Sequence, residues 1–133
     1  MTFQRFDIRS GRGQALVEFT LVLPLFALLL FAIVQFGITF NHYLAVTDAV
    51  RAGARQAAVG RFTASPASAA VDAVRRASPD LDQSALEIAV DAPAGWTRGA
   101  DVTVTASYPY EIDLLGIALK QGRLSSSLTE RIE

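Results

Sequence analysis

Twenty-two consecutive residues without a charge, Phe19 to Phe40 (FTLVLPLFALLLFAIVQFGITF), constrain this chain more than any other feature. As an α-helix the stretch is about 33 Å long, against a bilayer hydrocarbon core of roughly 30 Å. Of the 133 residues, 51% are hydrophobic, and the mean hydropathy is +0.32. One domain this small lacks the material to surround 22 apolar residues on every side, so lipid is the expected environment. A cleaved secretory signal also joins basic residues to an apolar run, but its apolar region covers about 7–15 residues. Here the run is longer, Glu18 stands at its front, and no clear small-residue cleavage site follows at Thr39 to Tyr43.

The flanks bear on orientation. Residues 1–12 hold Arg5, Arg9 and Arg12 against Asp7, whereas Arg51 and Arg55 lie on the far side with Asp48 before them. This small excess favours an N-terminus in the cytoplasm and residues 41–133 outside. The outer part carries nine Lys/Arg and eleven Asp/Glu. Such a near-neutral surface gives no electrostatic reason to expect a nucleic-acid partner. The absence of cysteine excludes disulfides and thiolate metal sites.

The chemistry concentrates in Arg12-Gly13-Gln14-Ala15-Leu16-Val17-Glu18-Phe19. A carboxylate on the front edge of a membrane helix is costly, about 2.5–3.5 kcal/mol at mid-depth and less near the interface. Arg12 precedes Glu18 by six positions, the wrong spacing for a helical ion pair. A cut after Gly13 would make Gln14 the new N-terminus and Glu18 its fifth residue. The freed α-amine and the carboxylate could then pair across neighbouring subunits and fix their register. Glycine before the cut lets the backbone enter a narrow peptidase site in extended form.

Gly13, four residues, then Glu18, Phe19 and about 20 apolar residues resembles a class III prepilin signal. The wider segment GRGQALVEFTLVLPLFALLLFAIVQFG is similar to the opening of the TadE/TadG-type proteins. The likeness lies in the VEF triplet at Val17–Phe19 and the LVLP run at Leu21–Pro24. AVTDAVRAGARQAAVG and the closing SLTERIE resemble that family's continuing helix and last strand.

The resemblance implies a TadE-like minor pilin or pseudopilin of a Tad/Flp-type pilus or related secretion system. Its processing site would be Gly13 and Gln14, and its assembly and recognition residues Glu18 and Phe19. The implied partners are a prepilin peptidase, other pilins or pseudopilins, the assembly-platform proteins and the membrane. The implied location is the bacterial inner membrane, with association with the pilus. No cofactor, metal, nucleic acid or small-molecule substrate is expected. The rival function is an uncleaved, membrane-anchored envelope binding or secretion accessory protein.

The expected organisation is a leader at 1–13, a membrane helix at 14–40 and an extracytoplasmic pilin-like domain at 41–133. The fold class is α+β: a long helix entering a small domain with a second helix and an antiparallel sheet of three or more strands. Pro24 removes a backbone donor within the membrane helix and either kinks it or is tolerated without effect. Gln35 bonds either another membrane helix or an adjoining backbone.

Beyond the apolar run, Val46, Ala49, Val50, Gly53 and Ala57 share one helical face, opposite Asp48, Arg51 and Arg55. Gly60 is the expected stop. Ser65-Pro66 reads as the cap and first residue of a second helix. Ala67, Ala70, Val71 and Val74 form its apolar side, Asp72 and Arg76 an i,i+4 pair, and Pro79 its end. Period-two alternation then predicts strands over 86–91 and 102–108, and a third over 123–132. The segment PYEIDLLGIALKQG between the last two reads as an apolar loop or short helix, with Leu114, Leu115 and Ile117 over a sheet edge.

No catalytic set is expected. His42 is the lone histidine and reads as interfacial, and Ser125–Ser127 have no base in view. Asp80, Asp82 and Glu87 match no calcium loop and read as a solvated edge. Trp96, in a Gly- and Pro-rich loop, is expected to pack over the sheet edge, the alternative being a partner contact.

Overall fold

The computed structural model describes residues 11–114 and 116–133. The tail with Arg5, Asp7 and Arg9, on which the orientation argument rests, and Leu115 lie outside the described residues. Helix α1 runs unbroken over Gly11–Val59, about 73 Å at 1.5 Å per residue. Its two halves face different surroundings because their side chains differ. From Leu16 to Phe40 the large apolar residues point outward all round, with Leu21 73%, Leu25 70% and Phe36 69% exposed. From Val46 onward the side chains are small on one face, and Val46, Ala49, Val50, Ala54 and Ala57 are fully buried. Asp48 and Arg51 pair on the opposite, solvent-facing side at 2.8 Å.

A single 3₁₀ turn, Gly60–Phe62, follows. The α-helix ends at Val59, directly before the expected stop at Gly60, which keeps a negative φ. Instead the helix tightens, and Thr63 closes it by donating both its amide (2.9 Å) and its hydroxyl (2.7 Å) to the Gly60 carbonyl. Helix α2 spans Pro66–Arg76. Proline sits at its start as expected, but the Ser65 hydroxyl makes no cap. The Ser65 carbonyl receives the Ala69 amide and the Ser68 hydroxyl instead. Asp72 and Arg76 are not among the ion pairs of the described residues, and both stay in solvent. Ala70, Ala73 and Val74 form the buried face.

Three antiparallel strands follow in the order β1 (Glu87–Asp91), β2 (Asp101–Leu114), β3 (Ile117–Arg131). Alternation sets which side faces α1. Val102, Val104 and Ala106 are fully buried, while Thr103 and Thr105 face out. There Thr103 bonds Thr129 at 2.8 Å, and Thr105 bonds Ser127 at 3.3 Å. The last residues close the domain: Ile132 is buried, its amide bonds the Ala100 carbonyl at 2.8 Å, and the Glu133 amide reaches Ala58 O at 3.0 Å.

The segment expected to be a loop or short helix is neither. β2 and β3 continue through it as one long hairpin, in register from Asp101↔Arg131 to Leu114↔Ile117 with an irregularity at Ile112/Asp113. Pro109 is accommodated because β1 ends opposite Ser107, so β2 is an edge strand from that point on. Gly122 lies opposite Tyr110, whose ring fills the space a Cβ would need, with Cε1 2.8 Å from that position. Ile117 covers no sheet edge and is 66% exposed.

Gly53 marks where three elements meet. A Cβ there would collide with the Val74 methyl of α2 and would sit 3.2 Å from Ala70 O and 3.3 Å from Val104 Cγ1 of β2. A Gly53→Ala change gains roughly 1 kcal/mol in helix propensity but forces an overpacked junction, costing about 1–3 kcal/mol. Packing is expected to win, so this variant lowers the thermal midpoint of the micelle-solubilised protein. Gly37→Ala, with nothing within 4 Å of the added methyl, does not lower it. Equal midpoints for the two variants would contradict the packing account.

Candidate processing and assembly site

The Gly13–Gln14 peptide lies in the first turn of α1, two residues after the helix begins at Gly11. Helix termini lack intrahelical partners for their outer groups, and glycine is about 1 kcal/mol poorer than alanine inside a helix. Gly11 and Gly13 together make this turn the cheapest part of α1 to open into extended chain. Gly13, Gln14 and Glu18 are all exposed.

One turn further on, Glu18 Oε1 accepts a hydrogen bond from Gln14 Nε2 at 3.1 Å. Such an i,i+4 contact contributes about 0.2–0.5 kcal/mol on an exposed helix. A neutral amide does not neutralise the carboxylate, whose placement beside lipid costs more than this. Among the described side chains no cation pairs with Glu18. Phe19, 61% exposed, is the first large aromatic residue of the apolar stretch.

Helix α1 continues through Pro24. That residue has no N–H for the Thr20 carbonyl. The Thr20 hydroxyl donates one turn back, to Leu16 O at 2.7 Å, and leaves the Thr20 carbonyl without that backbone donor.

The remaining candidates have structural surroundings. His42 packs edge-on against Tyr108 with ring centroids 5.4 Å apart. Trp96 is half-buried against the core. Among the described residues, no three His, Cys, Asp or Glu side chains converge on a metal position. Asp82 Oδ1 instead accepts from the Ser84 hydroxyl (2.6 Å) and amide (2.9 Å), and these bonds hold its carboxyl below the usual carboxylate range. Gln35 donates to the backbone carbonyl of Asp113 at 2.8 Å, the adjoining-backbone alternative of the two open to it. Nothing local in the sequence marks Asp113 as that partner, although alternation does continue past Pro109 through Tyr110 and Ile112.

Residues 13–55 match the family model described as TadE-like protein. No curated protein and no solved structure matches the chain. The match takes in the Gly13–Glu18 site, the apolar stretch and most of the small-residue face, and ends before α2 and the sheet. Over those residues, about a third of the chain, the sequence is similar to TadE-like proteins. Among the described residues it carries one helix long and apolar enough to cross a membrane, as a single-pass anchor requires.

The single amide contact of Glu18 offsets little of the cost of placing a carboxylate beside lipid. Glu18→Leu is expected to raise the carbonate-resistant membrane fraction of the full chain or leave it unchanged. A fall would mean that the carboxylate aids insertion.

Proposed function

We propose that this TadE-like chain is a minor pilin or pseudopilin of a Tad/Flp-type pilus or related secretion system. A prepilin peptidase hydrolyses the Gly13–Gln14 amide, releasing residues 1–13 and leaving Gln14 with a free α-amine. The chain acts as a substrate and a structural subunit, with no catalysis of its own. The supporting observation is the isolation of Glu18: an exposed carboxylate at the head of an apolar helix whose described contact is one neutral amide.

The new amine supplies the missing charge. Within one chain it would lie one turn before Glu18. Between chains it can reach the Glu18 of a neighbour as the apolar helices pack side by side. An unmatched charge beside lipid is expensive, so the pairing rewards one axial register and penalises the others. The exposed apolar surface of α1 from Leu16 to Phe40 provides the helix-to-helix contact. Phe19 and the residues near it are the surface a peptidase would read. The outer domain then lies outside the cytoplasmic membrane, tied to the assembly by α1.

Two variants of the full chain, expressed in a host with its prepilin peptidase, separate the steps. Gly13→Leu is expected to abolish the mobility shift of processing without reducing membrane insertion. Glu18→Gln is expected to be processed and inserted but to lose most co-assembly with other pilins, read by cross-linking. No mobility shift in the unsubstituted chain, with both variants inserting and behaving as it does, would favour an uncleaved, tethered envelope protein instead.

A further inference from the structure

The β2–β3 hairpin runs down alongside α1 toward the membrane, and three contacts set its course. Val104 of β2 lies over Gly53, Tyr108 packs on His42, and the Asp113 carbonyl takes the Gln35 amide at 2.8 Å. From Gly53 to His42 to Gln35 the helix descends about 16 Å and then about 10 Å. From Val104 to Tyr108 to Asp113 the strand advances about 14 Å and then about 17 Å. The strand covers more length than the helix on the lower leg, as a strand crossing α1 at a slant does, and the Gln35–Asp113 hydrogen bond sets the hairpin tip near the level of Gln35. That residue sits within the uncharged stretch, about 7.5 Å below Phe40.

The tip suits that depth. Ile117 and Leu119 are 66% and 61% exposed, with Ala118 exposed between them. The Asp113 carboxylate, though exposed, accepts the Gly116 amide at 2.7 Å. Gly116, at φ +84°, makes the reversal with no side chain. Just above, Lys120, Glu111 and Gln121 form a polar collar, with Gln121 Nε2 bonded to Glu111 Oε1 at 2.9 Å. An apolar tip below a polar collar is the pattern of a segment seated at the boundary of headgroups and acyl chains.

We propose that the β2–β3 hairpin tip inserts into the outer leaflet beside α1, with Ile117 and Leu119 in contact with lipid. The Gln35–Asp113 hydrogen bond then has two effects. It satisfies an amide that would otherwise face hydrocarbon, and it fixes the outer domain to the membrane at a second point. A helix alone leaves a domain free to tilt, whereas a helix and a hairpin together hold its orientation. The inference rests on α1 as a membrane span and is independent of any cleavage at Gly13.

The chain has no cysteine, so single probes can be placed without background. Full-length I117C, L119C, F26C and T129C are each labelled with an environment-sensitive fluorophore. They are reconstituted in phosphatidylcholine–phosphatidylglycerol vesicles with shallow or deep spin-labelled lipid. F26C reports the membrane helix, and T129C the exposed outer face of the sheet. Several-fold stronger quenching by shallow-labelled lipid at 117 and 119 than at 129 is expected, with a blue-shifted emission. Gln35→Leu is expected to weaken that quenching while F26C stays quenched. Quenching at 26 but none above the T129C level at 117 and 119 would overturn the proposal and leave the membrane helix intact. Blue-shifted but unquenched probes at 117 and 119 would also overturn it, since protein rather than lipid would then cover the tip.

Discussion

The structure depends on one helix serving two environments without a break. Helix α1 is continuous, lacking only the backbone bond that Pro24 cannot make, so the side chains decide what surrounds each part. Below Phe40 they are large, apolar and outward on all sides, which suits lipid. Above Val46 they shrink to alanine and glycine along one face, which suits close packing of α2 and β2. Because one continuous helix joins them, the domain of α2 and the sheet inherits its position from the apolar segment, and a register set near Glu18 would be transmitted to it.

The stripe of small residues explains how so short a chain makes a core. With Val46, Ala49, Val50, Gly53, Ala54 and Ala57 on α1, neither α2 nor the sheet has to stand off from the helix axis. Val74 and Val104 meet over Gly53 from two directions. Dense contact among small side chains replaces the bulk that a larger domain would use. The outward face of the sheet is built of threonine, serine and exposed ion pairs such as Arg123–Glu87 at 2.9 Å. Such pairs contribute little to stability and mainly keep that face in water.

Much of this was legible in the residues. The charge-free stretch, the Val46–Ala57 face, Pro66 at a helix start and the alternation of β1 and upper β2 each follow from local pattern. Ala54, four residues after Val50 and eight after Val46, lies on the edge of the same stripe, which α2 and the sheet together cover more widely than the five residues picked out by spacing. The lower hairpin was missed because Pro109 and Leu114-Leu115-Gly116 mimic a loop. That proline is tolerated only because β1 has already ended, a fact of pairing rather than of local sequence. For Gln35 the sequence offered two partners, and only the descent of β2 along α1 selects Asp113. Asp72 and Arg76 had the right spacing but gain too little in water to be held together.

At the head of α1 the functional account reduces to a charge that lacks its opposite within the described chain. Gly13 and Gln14 stand in the helix turn easiest to open, and cutting there creates the one new cation close enough to answer Glu18. The most direct measurement is the intact mass and N-terminal peptide of the chain purified from membranes of a host with its own prepilin peptidase. The account predicts a mature protein beginning at Gln14, with or without methylation of the new amine. A chain that still begins at Met1 in that host would contradict it.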